Sequence, residues 1–149
     1  MIITPIQIRF ADIDALGHVN NVNLQHFFDQ GKVDYMQRVL GLSGVWRKEG
    51  FVQARTETDY LAQVFMEENI CVRTTVSRLG NKSLTFSQQI YDADTGQIKA
   101  ASVAVNVAFD FETQRSVAIS DKWRQAIEEH GIENFQVADA TGCAPRPGH

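Results

Sequence analysis

Hydrophobic and polar positions follow a helical period over residues 22–40 and a period of two in several other segments of the chain. Residues 22–40 place apolar side chains three, four, seven and eight positions apart, as in an α-helix with one wide buried face. Asn20 or Asn21 is suited to cap its start, and Gly41 follows its end. Gly31 weakens the helix by about 1 kcal/mol relative to alanine, so we expect a sheet to approach it closely. The polar remainder of this helix carries Asp29, Lys32, Asp34 and Arg38.

The other segments alternate between apolar and polar residues, which is typical of half-buried β-strands. This alternation predicts a first strand over residues 6–10 and four later strands over residues 51–60, 70–76, 84–90 and 101–109. A turn signal over residues 92–96 joins the last two strands as a hairpin, and Ser120 caps a short C-terminal helix. One long helix followed by a run of antiparallel strands predicts an α+β fold.

Length, composition and charge narrow the class of protein. The 149 residues, 44% hydrophobic and 21% charged, fit one soluble domain, which we expect over residues 1–130 with a C-terminal tail over residues 131–149. A net charge of −4 argues against a non-specific nucleic-acid binder. Two cysteines are too few for a disulfide framework, and neither a signal peptide nor a membrane span is visible. The expected location is therefore the cytoplasm.

The densest group of polar side chains lies in the loop before the long helix. A carboxylate there can act as a nucleophile or a general base. The helix start offers unpaired backbone N–H groups that can stabilise an oxyanion, so the combination suits acyl transfer. The alternative is that these residues only cap turns and the helix, as Asp and Asn often do. The residues concerned are Asp12, Asp14, His18, Asn20 and Asn21.

This loop resembles that of the hotdog-fold acyl-CoA thioesterases of the 4-hydroxybenzoyl-CoA thioesterase type. Their pattern is a strand, then D-x-D-x-x-G-x-V, then a long helix, and here it reads Asp12-Ile-Asp14-Ala-Leu-Gly17-His-Val19. The loop also resembles the Asp-x-Asn-x-His-Val-Asn-Asn run of plant acyl-carrier-protein thioesterases, although Leu16 stands at the third position of that run, where they have Asn. The resemblance spans about residues 5–127 and implies an antiparallel sheet wrapped around one long central helix.

The resemblance also implies roles for the loop residues. Asp14 would attack the thioester carbonyl or activate a water molecule, and the backbone N–H of Asn21, perhaps joined by that of Asn20, would stabilise the oxyanion. His18 would orient water, protonate the leaving thiolate or make a hydrogen bond at the helix entry. Gly17 and Asn20 are expected to contact the substrate, whereas Asp12 holds the loop in place.

A second candidate region joins two predicted strands and reads Arg78-Leu-Gly-Asn-Lys82-Ser83. Its cations could meet phosphates, and in similar thioesterases the coenzyme A arm passes near this junction, often across a subunit interface. Arg78, Gly80, Lys82 and Ser83 are therefore candidate substrate-binding residues. The alternative is a solvated turn. Glu57 and Asp59 lie where another hotdog branch carries its acid, and we expect them at the strand surface or at an interface.

The expected function is that of an acyl-CoA thioesterase acting as a homodimer or a dimer of dimers, because one helix leaves part of the sheet uncovered. It needs no metal or redox cofactor. Hydrolysis of acyl groups on acyl-carrier protein and non-catalytic binding of acyl-CoA are the alternatives. The depth of the acyl pocket depends on the packing of Phe27, Phe28, Tyr35, Phe51 and Tyr60.

Overall fold

The fold is one antiparallel sheet with a long helix across one of its faces. The computed structural model describes residues 1–42, 44 and 48–135. In chain order the elements are β1 Ile2–Pro5, a 3₁₀ turn Phe10–Asp12, α1 Asn21–Leu40, β2 Glu49–Tyr60, β3 Ile70–Leu79, β4 Ser83–Asp92, β5 Ile98–Asp110, β6 Arg115–Ser116 and α2 Asp121–His130. The strands are ordered β1-β3-β4-β5-β2 in the sheet, and β6 pairs with the end of β5. This arrangement confirms the predicted α+β fold.

Helix α1 has the predicted caps and the predicted close contact with the sheet. The Asn20 side chain accepts a hydrogen bond from the backbone N–H of Val22, and Gly41 ends the helix with φ +71°. A Cβ atom on Gly31 would lie 2.6 Å from Thr74 Oγ1 and 2.8 Å from Gln88 Nε2. Only glycine fits at this position, so the cost to helix propensity is offset by close packing on β3 and β4.

The predicted first strand is wrong in its position. The ladder runs over Ile2–Pro5, and Ile6 N then donates to Ile70 O at 2.9 Å. The cause is that β3 begins at Ile70, so none of the described strands lies beside the residues after Ile6. Ile6 and Ile8 are still buried against the N-terminal half of α1, but Phe10 is 83% exposed.

A β-bulge in β2 decides which of its side chains face α1. Gln53 pairs with Asn106 and Arg55 with Val105, which leaves Ala54 as the extra residue. After the bulge, Thr56, Thr58 and Tyr60 face the helix, while Glu57 and Asp59 point to the other side of the sheet and are exposed.

A row of polar side chains crosses the sheet beneath α1. Thr58, Ser102, Gln88 and Thr74 are neighbours in register on four adjacent strands, and we call them the polar row. Thr58 Oγ1 lies 3.2 Å from Ser102 Oγ, and Gln88 Nε2 donates to Thr74 Oγ1 at 2.9 Å. Gln88 Oε1 is buried and receives no hydrogen bond from any described residue. An unsatisfied buried acceptor of this kind costs about 1–3 kcal/mol.

Lys32 is not part of the solvated face that the helical pattern indicated for it. Its side chain is 6% exposed, its Nζ donates to Gln53 Oε1, and Asp29 Oδ1 lies 3.4 Å away. The side chain reaches across to β2, which covers it. Burial lowers the pKa of the Lys32 ammonium from its ordinary value of 10.5.

A Lys32→Met variant is expected to change how stability depends on pH. Because the folded-state pKa is the lower one, the unfolded chain binds more protons between that value and 10.5, and wild-type stability gains from this group as pH rises through that window. The variant should lack this rise and keep equal or higher stability at pH 7. The free energy of unfolding in urea is measured from pH 7 to 10.5 for both proteins, with the exposed Lys122→Met variant as the control. Identical profiles for wild type and Lys32→Met would contradict the expectation.

Candidate active site

A cavity of about 510 Å³ opens in front of the N-terminus of α1, a size typical of small-molecule sites. The loop before the helix and the helix start contribute Asp14, His18, Asn20 and Asn21 to its lining, so the structure brings these four predicted residues together. Gly17, also predicted to contact substrate, does not line the cavity. The remaining wall consists of Leu16, Val19, Leu24, Tyr60, Leu61, Ala62, Gln63 and Val64.

The Asp14 carboxylate is held by the backbone of its own loop. Asp14 Oδ1 accepts a hydrogen bond of 2.9 Å from Leu16 N, and the backbone N–H of Asp14 donates to His18 O at 2.9 Å. Gly17 closes the turn at φ +82°, a conformation that favours glycine. The loop thus fixes one oxygen, while no described residue donates to Oδ2, which leaves that oxygen available to a ligand.

The start of α1 presents one backbone N–H from which no described residue accepts a hydrogen bond. Val22 N donates to Asn20 Oδ1 at 2.8 Å and Asn23 N to Asn20 O at 2.9 Å. The N–H of Asn20 itself donates to Asp12 O at 2.9 Å, so it is not available to an oxyanion. Among the described residues nothing accepts from Asn21 N–H, which makes it the available donor of the two that the resemblance implied.

Asp12 supports the loop, as predicted. Its carboxylate is buried and accepts from the backbone N–H of Arg9 at 2.8 Å and from Arg9 Nη2 at 2.9 Å. Its carbonyl oxygen accepts from Asn20 N and from Asn23 Nδ2. Asp12 therefore ties the loop to the helix start and does not line the cavity.

The His18 ring lies against Phe65, with ring centroids 5.1 Å apart and an edge-on angle of 78°. Within the described part of the chain its ring nitrogens make no hydrogen bond, so the ring does not form the helix-entry bond that was one of its predicted roles. The imidazole stays available to a molecule in the cavity.

One wall of the cavity was not predicted. Residues 61–64 follow β2 and are held by Lys99, a buried lysine on β5. Lys99 Nζ contacts Glu68 Oε2 at 2.7 Å and Gln63 O at 2.9 Å, and Lys99 O accepts from the backbone N–H groups of Leu61 and Ala62. The only feature of the sequence that points to this support of residues 61–64 is a lysine just before the apolar alternation over residues 101–109.

The turn between β3 and β4 does not reach this cavity within one chain. Leu79 and Leu84, at its two ends, belong to the same hydrophobic cluster as Met36 and Leu40 near the C-terminus of α1. The cavity lies at the other end of this helix of 20 residues, which is about 30 Å long. Arg78, Gly80, Lys82 and Ser83 are therefore absent from its lining.

The turn itself is anchored from α2. Arg124 Nη2 donates to Gly80 O at 2.8 Å and to Asn81 O at 3.2 Å, while Gly80 N donates to Ser83 O. The side chains of Arg78 and Lys82 are exposed, so both cations can meet an anion that approaches from outside.

The described residues contain no group of three or more His, Cys, Asp or Glu side chains placed to hold a metal ion. None of their helices combines the length and apolarity that a bilayer crossing requires.

The expected C-terminal tail is described only in part, because residues 136–149, which include Cys143, lie outside the described part of the chain. Before them, Ile132 pairs with Val76 and the N–H of Glu133 donates to Val76 O.

The chain is similar to several named thioesterases. The long-chain acyl-CoA thioesterase FadM of Escherichia coli is 23% identical over 85% of this chain and 96% of its own length. A predicted thioesterase from Bacillus stearothermophilus is 32% identical, with a TM-score of 0.77 over 86% of this chain and 94% of its own. A thioesterase from Thermus thermophilus, solved with coenzyme A and zinc, is 26% identical, with a TM-score of 0.75 over 89% and 96%.

The relatives confirm the predicted hotdog fold and the predicted class of enzyme, a thioester hydrolase. The family model described as the thioesterase-like superfamily matches residues 8–127, which include the loop, α1 and the whole sheet except β1. The chain therefore belongs to the thioesterase-like superfamily.

Proposed function

We propose that the protein is an acyl-CoA thioesterase that uses Asp14 and the backbone N–H of Asn21. The observation that carries this proposal is that a carboxylate with one unoccupied oxygen and an unpaired helix N–H line the same cavity. The names of FadM, for long-chain acyl-CoA, and of the Thermus thermophilus complex with coenzyme A support the choice of thioester.

In the proposed reaction the thioester carbonyl lies between these two groups. Asp14 attacks the carbonyl carbon to give an acyl-aspartyl anhydride and coenzyme A thiolate, and water then hydrolyses the anhydride. Alternatively, Asp14 takes a proton from a water molecule that attacks directly. In both routes the carbonyl oxygen becomes an oxyanion that accepts from Asn21 N–H, and His18 can protonate the thiolate. Oxygen-18 from water enters the Asp14 carboxylate in a single turnover only by the first route.

We also propose that the working enzyme is a homodimer or a dimer of dimers in the cytoplasm. Strand β2 has 12 residues, and among the described strands it pairs with β5 alone, so it presents a long edge beside the cavity that a second copy can cover. The cations Arg78 and Lys82 are too far from their own chain's cavity. Their proposed role in binding coenzyme A phosphates therefore requires the site of another copy.

The test is release of free thiol by the purified chain from a panel of acyl-CoAs of different lengths, with the same acyl groups on acyl-carrier protein in parallel. We expect turnover of acyl-CoA. Turnover of the carrier-protein substrates alone would favour the acyl-carrier-protein alternative, and binding of acyl-CoA without any turnover would contradict a hydrolase.

A further inference from the structure

One side of the cavity is formed by residues 61–68, which we call the wall segment. Its first four residues line the cavity, together with Tyr60 at the end of β2. Of the five aromatic residues expected to shape the acyl pocket, Tyr60 lines the cavity, whereas the other four are core residues: Phe27, Phe28, Tyr35 and Phe51. The shape of the cavity therefore depends on where the wall segment lies.

The wall segment also contacts the loop before α1. Val19 N donates to Val64 O at 2.9 Å, and the Phe65 ring lies edge-on to the His18 imidazole, with the ring centroids 5.1 Å apart. A functional imidazole is usually oriented by a hydrogen bond to one of its ring nitrogens, but no described residue makes such a bond to His18. In the described part of the chain, the orientation of this imidazole therefore depends on the Phe65 ring.

The Lys99 ammonium holds the wall segment at two points. Nζ donates to Gln63 O at 2.9 Å and lies 2.7 Å from Glu68 Oε2. The other carboxylate oxygen, Glu68 Oε1, accepts from the backbone N–H of Phe65 at 2.7 Å. Lys99 Nζ also lies 5.9 Å from the centroid of the Phe65 ring. Lys99 therefore fixes the backbone of Phe65 through Glu68 and lies near its ring.

A β-bulge in β5 places Lys99 where it can make these contacts. Ile90 pairs with Ala100 and Tyr91 with Ile98, so Lys99 is the extra residue between the two pairs. Bulges re-aim a side chain and are common next to active sites. Lys99 is 3% exposed, and an apolar side chain in place of a buried ion pair is often equally stable. Stability alone therefore does not account for a lysine at this position.

We propose that Lys99 is a positioning residue that holds the His18 imidazole at the cavity by acting through Glu68 and Phe65. This inference rests on the proposed function, in which His18 protonates the coenzyme A thiolate, and it adds the residue that fixes this acid in place. Lys99 is absent from the lining of the cavity, so it acts on the reaction only through these neighbours. Without the ammonium, the Phe65 ring is no longer fixed and the imidazole turns away from the leaving sulfur.

The test is the double variant Lys99→Met/Glu68→Gln. Methionine has nearly the length of lysine and glutamine keeps an oxygen for Phe65 N, so no buried charge is left unpaired and the melting temperature should stay within a few degrees of wild type. We expect kcat on the best acyl-CoA of the panel to fall about tenfold. In a His18→Ala background the same two changes should lower kcat by less than about twofold, because the imidazole that they displace is already absent.

Phe65→Leu is the second variant, because its side chain is 40% exposed and the change leaves the buried pair intact. It should show the same dependence on His18. The matched control is Lys32→Met, which removes a buried lysine whose contacts are with Gln53 and Asp29, and it should not change kcat in either background. Equal falls of kcat in both backgrounds, a double variant with wild-type kcat, or a His18→Ala enzyme as fast as wild type would each overturn the inference.

The NMR signal of the His18 Cε1–H group gives a second measurement that needs no turnover. The Phe65 ring shifts this signal in the wild type, and Phe65→Leu shows its position without the ring. We expect the double variant to move the signal toward that position and Lys32→Met to leave it unchanged. A signal that stays in place would overturn the inference and leave the thioesterase proposal standing. A signal that moves in a protein that hydrolyses no acyl-CoA would support the placement of His18 by Lys99 while contradicting the hydrolase.

Discussion

An Asp14→Asn variant is expected to lose about three orders of magnitude in kcat/KM on the best acyl-CoA of the panel. The amide has nearly the same shape and can still accept from Leu16 N at Oδ1, so the loop should keep its conformation. An amide, however, is neither a nucleophile nor a base at neutral pH, which removes the group that attacks or activates water. Thiol release under single-substrate conditions measures the loss, and the melting temperature should stay within a few degrees of wild type.

The matched control is Asp59→Asn. Asp59 is exposed on β2 and points to the side of the sheet away from α1, so its loss should change kcat/KM by less than about twofold. Equal rates for wild type and Asp14→Asn would remove Asp14 from the mechanism. If instead Asp59→Asn lost most of its kcat/KM while Asp14→Asn kept the wild-type value, the catalytic acid would lie on the sheet.

An Asn21→Pro variant is expected to lower kcat by about 10²–10³-fold, the usual effect of removing an oxyanion donor. Proline lacks the backbone N–H but suits the first position of a helix. The preceding residue, Asn20, has φ −62° and ψ 141°, which is the conformation that proline requires before it. The substitution therefore deletes the proposed donor without disturbing the helix, and circular dichroism should be unchanged.

Asn21→Ala is the companion variant, because it removes the exposed side chain and keeps the N–H. We expect it to retain most of the activity. If Asn21→Ala were as impaired as Asn21→Pro, the side chain would be the functional group. If neither variant lost activity, the oxyanion would have to be stabilised by another donor.

Local signals allowed the prediction of helix α1 and of the loop before it. The caps at Asn20 and Gly41 and the close contact at Gly31 depend on residues near in sequence or on the absence of a side chain, and all three are seen in the structure. The same locality explains why Asp14, His18 and Asn21 were placed at one site: they come from a single loop and helix start.

The features that sequence reasoning missed depend on contacts between distant segments. The first strand is where β3 offers a partner, not where the alternation is clearest. Lys32 is buried because β2 reaches it, and the wall over residues 61–64 depends on Lys99. Whether Asn20 or Asn21 offers a free N–H could not be read from the sequence either, since the answer depends on the carbonyl of Asp12.

The extra residue Ala54 in β2 has a consequence for how catalytic chemistry can change in this fold. If Ala54 were instead paired in a regular ladder, the alternation of the residues after it would shift by one, so that Glu57 and Asp59 would turn toward α1 and Thr58 would turn away. Moving the bulge along β2 to a point beyond Asp59 would thus bring two carboxylates beneath the helix without any change in the length of the chain. In this fold the position of one bulge in a strand, as much as the identity of its residues, decides which side chains lie beneath the helix.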